Sequence, residues 1–296
     1  MVTVAIAGAS SGMGSTILSE ILATGKHKVV VLSRSEQPSL EKEGVIVRAV
    51  DYKSIDQLTE ALRGVHTVIS CVWSFGPEVT TTQLALLEAS KAAGVKRFVP
   101  SDWAINKYDI VDYYANKAPV WKAVQESGLE YTRFICGIWM NCWGSGAPND
   151  EAVAGYRGPP FMIDFKNRTV SIPGDGTQKV AFTEMRDIGK FVAASLDLAQ
   201  WIPDTFIVSD SLSYNELVEL AEKVTGREFE KSPYPVSQIE SVLKDNSNFE
   251  QVFFNQFLKL ITNGDLDIEQ SVGKNVPSIE MTKAENYLVK YWGGVH

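Results

Sequence analysis

Tyr113 and Lys117, in the run DYYANK (112–117), are the chain's best-placed pair for acid–base chemistry. At i and i+4 they would share one face of a helix. A tyrosine titrates near 10 in water and is a poor base at neutral pH unless a nearby cation lowers that value. A lysine one turn away can do this, so that the pair could serve as proton donor or base. Ser101, in FVPSDW (98–103), lies twelve residues before Tyr113, which suits a Ser–Tyr–Lys arrangement. Such spacing also recurs by chance, so the pair gains its weight from its surroundings. Tyr114 reads as packing.

The surroundings alternate strand and helix. VTVAIAG, HKVVVLSR, GVIVRAVDY, VHTVISCVW, VKRFVPSDW and LEYTRFICGIW read as six strands, with intervening helices that include spans at about 77–93 and 110–127. Apolar strands joined by helical crossovers predict an α/β, doubly wound parallel sheet of the Rossmann type. Beyond Gly137 the sequence turns to WMNCWGSGAPNDEAVAGYRGPP, which has no clear period. A hairpin is expected around NRTVSIPGDGTQKVAF, a helix at RDIGKFVAASL, a strand at TFIVSD and a helix at YNELVELAEKVTG. The expected division is a Rossmann domain of residues 1–136 with 184–208, and a smaller interleaved substrate lobe of residues 137–183 with 209–296.

The first strand runs into AGASSGMG (7–14) where a helix should begin. Backbone N–H groups and the helix dipole converge there and favour a phosphate or pyrophosphate. Gly8 allows the turn, Gly12 lets a ligand approach, and Gly14 lets helix and strand pack closely. Ser10 and Ser11 offer hydroxyls, and Met13 lies in the same loop. The pattern is G-x-x-x-G-x-G rather than G-x-G-x-x-G. The second strand ends VVVLSRS, with Arg34 where NAD sites often place an acid. An arginine grips a 2′-phosphate bidentately, which predicts NADP(H) over NAD(H). Lys42 is a second candidate for that phosphate. Asp51 would either touch the adenine side or cap a helix. Cys71 and Val72 after the fourth strand, with Ser101 and Lys117, complete the expected cofactor contacts.

Composition narrows the partners. The chain has 296 residues, 45% of them hydrophobic, and a net charge of −8. No basic block points to nucleic acid. Three cysteines without a C-x-x-C pair and three scattered histidines argue against a disulfide framework or a metal site. No signal-peptide pattern or membrane-length apolar run is read, so a cytoplasmic monomer or homodimer is expected. Trp103, Trp139, Met140 and Trp143 fall where residues should face the cleft, with Trp73 and Phe75 after the fourth strand. As a set they favour a flat or polycyclic aromatic substrate, although each alone is equally consistent with core packing.

Taken in order, GASSGMG, VLSR, FVPSDW, the lysine of NKAPVWKAVQESGLEYT, IPGDGTQKVAF and LSYNELVELAEKVTG resemble the isoflavone reductase-like group of atypical short-chain dehydrogenases/reductases. That group includes phenylcoumaran benzylic ether reductases and NmrA-like proteins, and the likeness runs from residue 1 to about 245. It implies NADPH on a Rossmann domain, with a small lobe closing over the substrate. Lys117 would be the acid/base or polarising cation, Arg34 would hold the 2′-phosphate, and GIWMNCWG would line the pocket. The chain departs from the group in having Ser11 where the middle glycine commonly stands, and in having Tyr113. The proton donor therefore stays open between Lys117 and Tyr113. The expected activity is hydride transfer to a carbonyl, imine, activated double bond or benzylic ether carbon. A redox-sensing regulator without turnover and a non-redox cyclisation or isomerisation are the alternatives.

Overall fold

The computed structural model describes residues 1–10, 12–42, 44–245 and 247–294. Its centre is a six-stranded sheet: β1 (Thr3–Ala7), β2 (Lys28–Ser33), β3 (Ile46–Ala49), β4 (Thr67–Ser70), β5 (Arg97–Val99) and β6 (Glu130–Tyr131). The order is β3-β2-β1-β4-β5-β6, and every neighbouring pair is parallel. The pleat divides the apolar residues between two cores. Val4, Ile6, Val29 and Val31 pack with Ile17 and Ile21 of helix α1 (Gly12–Thr24). Ala5, Ala7, Val30 and Leu32 pack on the other face with Leu58 and Leu86. Burial on both faces is why these strands read as continuous apolar runs.

Along the second face run α3 (Ile55–Ala61) and α4 (Glu78–Ala92), while Leu40 of α2 (Pro38–Lys42) packs against the first core. The single helix expected over 110–127 is two, α5 (Asp112–Ala115) and α6 (Ala118–Gln125). Pro119 is the cause. It has no N–H to donate to Ala115, and its ring would collide with that carbonyl, so the chain restarts a helix with proline in the first turn. Lys117 becomes the residue that caps α6. At the junction the Asn116 carbonyl accepts a hydrogen bond from the Thr80 hydroxyl at 2.6 Å.

The expected sixth strand is likewise broken, into β6, β7 (Arg133–Ile135) and β8 (Ile138–Trp139). Gly137 turns the chain with φ of 61°, and a Cβ there would lie 2.3 Å from the Ala181 carbonyl oxygen. The second lobe holds β9 (Ile163–Asp164), β10 (Thr169–Pro173) and β11 (Val180–Thr183). After helix α7 (Met185–Ser195), which crosses α1, come β12 (Asp204–Phe206), β13 (Asp210–Leu212), α8 (Tyr214–Thr225) and β14 (Glu230–Tyr234). Helices α9 (Val236–Lys244), α10 (Phe249–Thr262) and α11 (Ala284–Trp292) follow.

The hairpin expected around 167–182 does not form. β10 pairs with β9 and β14, whereas β11 pairs with β8 and β13. The turn between them is claimed from outside: Gly174 N–H donates to Tyr234, and Asn215 N–H donates to the Gly176 carbonyl. A third core of aromatic and aliphatic side chains fills this lobe. Residues 270–282 return to β12 and α7, where Ser271 bonds Phe206 and Thr282 bonds Asp187.

Gly25 shares Gly137's left-handed backbone but has open space around it. Gly25→Ala should therefore cost only the backbone strain, about 1–2 kcal/mol. Gly137→Ala should cost roughly 1–3 kcal/mol more, because its methyl meets a carbonyl. Urea unfolding of the two variants checks the difference; equal costs would remove the close approach from the argument.

Candidate active site

At the end of β1 the glycine loop is packed too tightly for side chains. A Cβ on Gly8 would sit 2.6 Å from the Cys71 carbonyl oxygen, and one on Gly14 would sit 2.1 Å from the Gly8 oxygen. The loop backbone thus lies directly on the end of β4, with Cys71 N–H bonded to Ala7 at 2.7 Å. The first turn of α1 contains no acidic residue. The N–H groups of a helix's first turn and its dipole favour an anion at such a position. Met13 is buried beneath the turn, Ser10 is exposed, and Ser11 lies outside the described residues. Arg34 stands exposed one residue past β2, and no ion pair engages it among the described residues. Tyr52, absent from the sequence reading, covers this end of β2 and donates to the Leu32 carbonyl at 2.9 Å. Val72 is half-buried, and burial pushes the Cys71 thiol up, so it is not a reactive thiolate.

Two strands along, the end of β5 carries Ser101 and Asp102, both buried. Ser101 N–H donates to the buried Gln83 side chain at 2.7 Å. Lys117 is 7% exposed, with Nζ 3.6 Å from Asp102 Oδ1 and 4.1 Å from the centre of the Tyr114 ring. Asp102 Oδ2 accepts a hydrogen bond from Tyr108. The Tyr108 hydroxyl in turn accepts one from Arg133 Nη1 at 2.8 Å, and Arg133 is paired with Asp204. Burial lowers the proton affinity of Lys117 and raises that of Asp102, and each opposes the other's shift by its charge.

Tyr113 is arranged differently from the sequence expectation. Lys117 Nζ lies 5.8 Å from the centre of the Tyr113 ring, and the Tyr113 hydroxyl has no hydrogen-bond partner among the described residues. Burial pushes the Tyr113 phenol up to about 12, opposite to the shift a base requires. Tyr114, read as packing, supplies the nearer ring face to the ammonium. Asp102, Tyr108 and Arg133 were missed. The available signal was Asp102 beside Ser101 at a strand's carboxyl end, where such sheets face their ligands.

Three of the four residues expected to line the substrate wall sit in cores. Trp103 stacks on Phe134 and donates Nε1–H to Ser70, and Met140 has no exposure. Trp143 is 1% exposed among Phe165, Phe182 and Tyr287. Their apolar surface is satisfied by packing, so the sequence signal for them was a core signal. Trp139 alone is half-buried, edge-on to Tyr156. The open aromatic face is elsewhere: Trp73 (63% exposed), Phe75 (44%) and Phe249 (47%), with Phe75 5.4 Å from the Tyr113 ring and 5.6 Å from that of Phe253. Phe249, Phe253 and Phe257 repeat at i, i+4 and i+8 of α10, a stripe legible in FEQVFFNQF. Among the described residues there is no metal-binding cluster of His, Cys, Asp and Glu, and no helix long and apolar enough to cross a membrane.

A doubly wound parallel sheet with a glycine turn after β1 and a buried lysine beyond β5 defines an α/β protein of Rossmann-type architecture. The chain belongs to the NmrA-like family, whose profile matches residues 2–288. It is 34% identical to the oxidoreductase BOA1 of Botryotinia fuckeliana (strain B05.10) over 238 residues, 77% of this chain and 78% of that one. A bifunctional pinoresinol-lariciresinol reductase of Linum perenne is 26% identical over 321 residues, 98% of each chain. The solved structure of AtPrR2 with NADP+ and (+)pinoresinol shares the fold, with a TM-score of 0.79 at 22% identity over 98% of both chains.

Trp143→Ala should destabilise the chain by about 3–5 kcal/mol, as emptied core sites do. Trp73→Ala should stay within about 0.5 kcal/mol, as exposed sites do. Urea unfolding monitored by circular dichroism separates the two; a large loss at Trp73 would show that it packs rather than lines a surface.

Proposed function

We propose that the chain is an NADPH-dependent reductase of an aromatic metabolite of the phenylpropanoid or lignan type. The observation that carries the reading is Lys117: a buried ammonium at the same sheet edge as the anion cradle, beside an open aromatic face. Relatives named oxidoreductase and pinoresinol-lariciresinol reductase support it.

The residues fit the coenzyme. Gly12 has open space at its Cβ position beside the first turn of α1, where backbone N–H groups would meet a diphosphate, and no acid in that turn repels it. Arg34 would hold the 2′-phosphate. Cys71, Val72 and Ser101 stand at the adjoining strand ends, toward the nicotinamide half. NADPH, when bound, supplies the hydride. Lys117 protonates the oxygen on which charge develops, and its lowered proton affinity brings it nearer the operating pH of a general acid. Tyr113 serves as a wall of the aromatic face with Trp73 and Phe75. The lack of charged groups in that stacked set suits a flat, uncharged substrate. Three free thiols, two of them buried, accord with a reducing compartment such as the cytoplasm.

Fluorescence titration should show NADPH binding more tightly than NADH, with Arg34→Asp weakening NADPH about tenfold or more, some 1.4 kcal/mol. Equal binding of both coenzymes by the wild type would remove Arg34 from the site. With pinoresinol or lariciresinol as substrate, Lys117→Met should lower kcat about 10²–10⁴-fold. Tyr113→Phe should change it far less. Product formed without NADPH consumption would overturn the redox reading.

The pH dependence has a definite sign. A general acid works while protonated, so the rate falls as pH rises through the Lys117 titration. Burial lowers that titration, so the alkaline limb should lie below the ordinary lysine value of about 10.4. A rate profile rising through that region would exclude Lys117 as the acid.

A further inference from the structure

We propose that Asp102 is the positioning residue for Lys117: its carboxylate, held by Tyr108 and Arg133, fixes the ammonium at the end of β5 and keeps it charged. The role in turnover rests on the reading of Lys117 as proton donor; the pairing itself does not.

The geometry singles out Asp102. It is 2% exposed, and its Oδ1 has no hydrogen-bond partner among the described residues. Lys117 Nζ, 3.6 Å away, is the cation that faces this oxygen, and a small side-chain movement would close that gap to a hydrogen bond. The other oxygen, Oδ2, accepts from Tyr108, and Arg133 Nη1 stands 3.9 Å from it. Arg133 is itself immobilised. It pairs with Asp204, lies over the Trp121 ring at 4.1 Å, and reaches the Tyr108 hydroxyl. The carboxylate is thus clamped on one side and unsaturated on the side facing the lysine. A fully satisfied structural ion pair would leave no such oxygen open.

The remaining groups around the pair do not replace this carboxylate. From α5, Tyr113 and Tyr114 present ring faces, and burial raises both phenols, so neither supplies a negative charge near neutrality. From the chain after β7, the Cys136 thiol is raised by burial and by the Asp102 charge, so it too stays neutral. Arg133 and Tyr108 face Asp102 rather than Lys117. An ion pair at this depth returns little stability compared with an apolar pair, and perturbed pairs of this kind concentrate at functional sites. Without Asp102 the ammonium would have only aromatic faces for compensation, and burial would strip its proton at lower pH.

The test reads Lys117 directly. Lysine labelled with 13C at Cε is titrated by NMR in the full-length protein, with the Lys117 resonance assigned from its loss in Lys117→Met. In Asp102→Asn the deprotonation midpoint should fall by at least about one pH unit, the shift an opposite charge at this range produces. Asp102→Glu should recover at least half of that shift. Tyr108→Phe keeps the ring but removes the hydroxyl that holds the carboxylate ionised. It should lower the midpoint in the same direction by less, and it serves as the readout if Asp102→Asn fails to fold. A midpoint unchanged in Asp102→Asn and in Tyr108→Phe would overturn the pairing. Full turnover of pinoresinol by Lys117→Met would overturn only the role in catalysis, since the midpoint is measured without substrate.

Discussion

Keeping a lysine ammonium out of water is the constraint to which this molecule's site architecture answers. An isolated ammonium in such surroundings would shed its proton. Lys117 instead lies between the Tyr114 ring and the Asp102 carboxylate, and the carboxylate is tied through Tyr108 and Arg133 to Asp204 on β12. The chain of contacts draws on the loop after β5, the junction of α5 and α6, strand β7, and strand β12, where Asp204 lies 71 residues beyond Arg133. The sheet edge, the helix break and the return of β12 are all needed to bring those groups together.

The second constraint is backbone proximity. The turn after β1 sits so close to β4 that a single added methyl on Gly8 or Gly14 would strike a carbonyl oxygen. That closeness brings the amino end of α1 to the same edge of the sheet as Lys117, because parallel strands all end on one side. The cradle for an anion and the buried cation therefore follow from one topological fact. The proposed reductase activity uses both: one to hold the coenzyme, the other to manage the proton.

The aromatic residues divide by burial. Trp103 and Trp143 stiffen the two cores, while Trp73, Phe75 and Phe249 stand open next to Tyr113. The wall is built from two remote segments, the loop after β4 and the first turn of α10.

Much of this could be read from the residues alone. Strands buried on both faces leave continuous apolar runs, and the turn after β1 advertises itself in glycines, so the sheet, the glycine turn and the place of Lys117 beyond the fifth strand were accessible without coordinates. The aromatic assignments were not, because a tryptophan carries the same sequence signal whether it faces a cleft or a core. By itself, the sequence determined the local periodicities, the glycine turn and the positions of the titratable side chains. Only the tertiary structure decided which of those side chains meet. Pro119 breaks the helix between Tyr113 and Lys117, the ammonium lies nearer the Tyr114 ring than the Tyr113 ring, and the β5 edge delivers Asp102 to it from fifteen residues upstream. Contacts of that kind depend on where backbones cross in space, and spacing along the chain does not encode it.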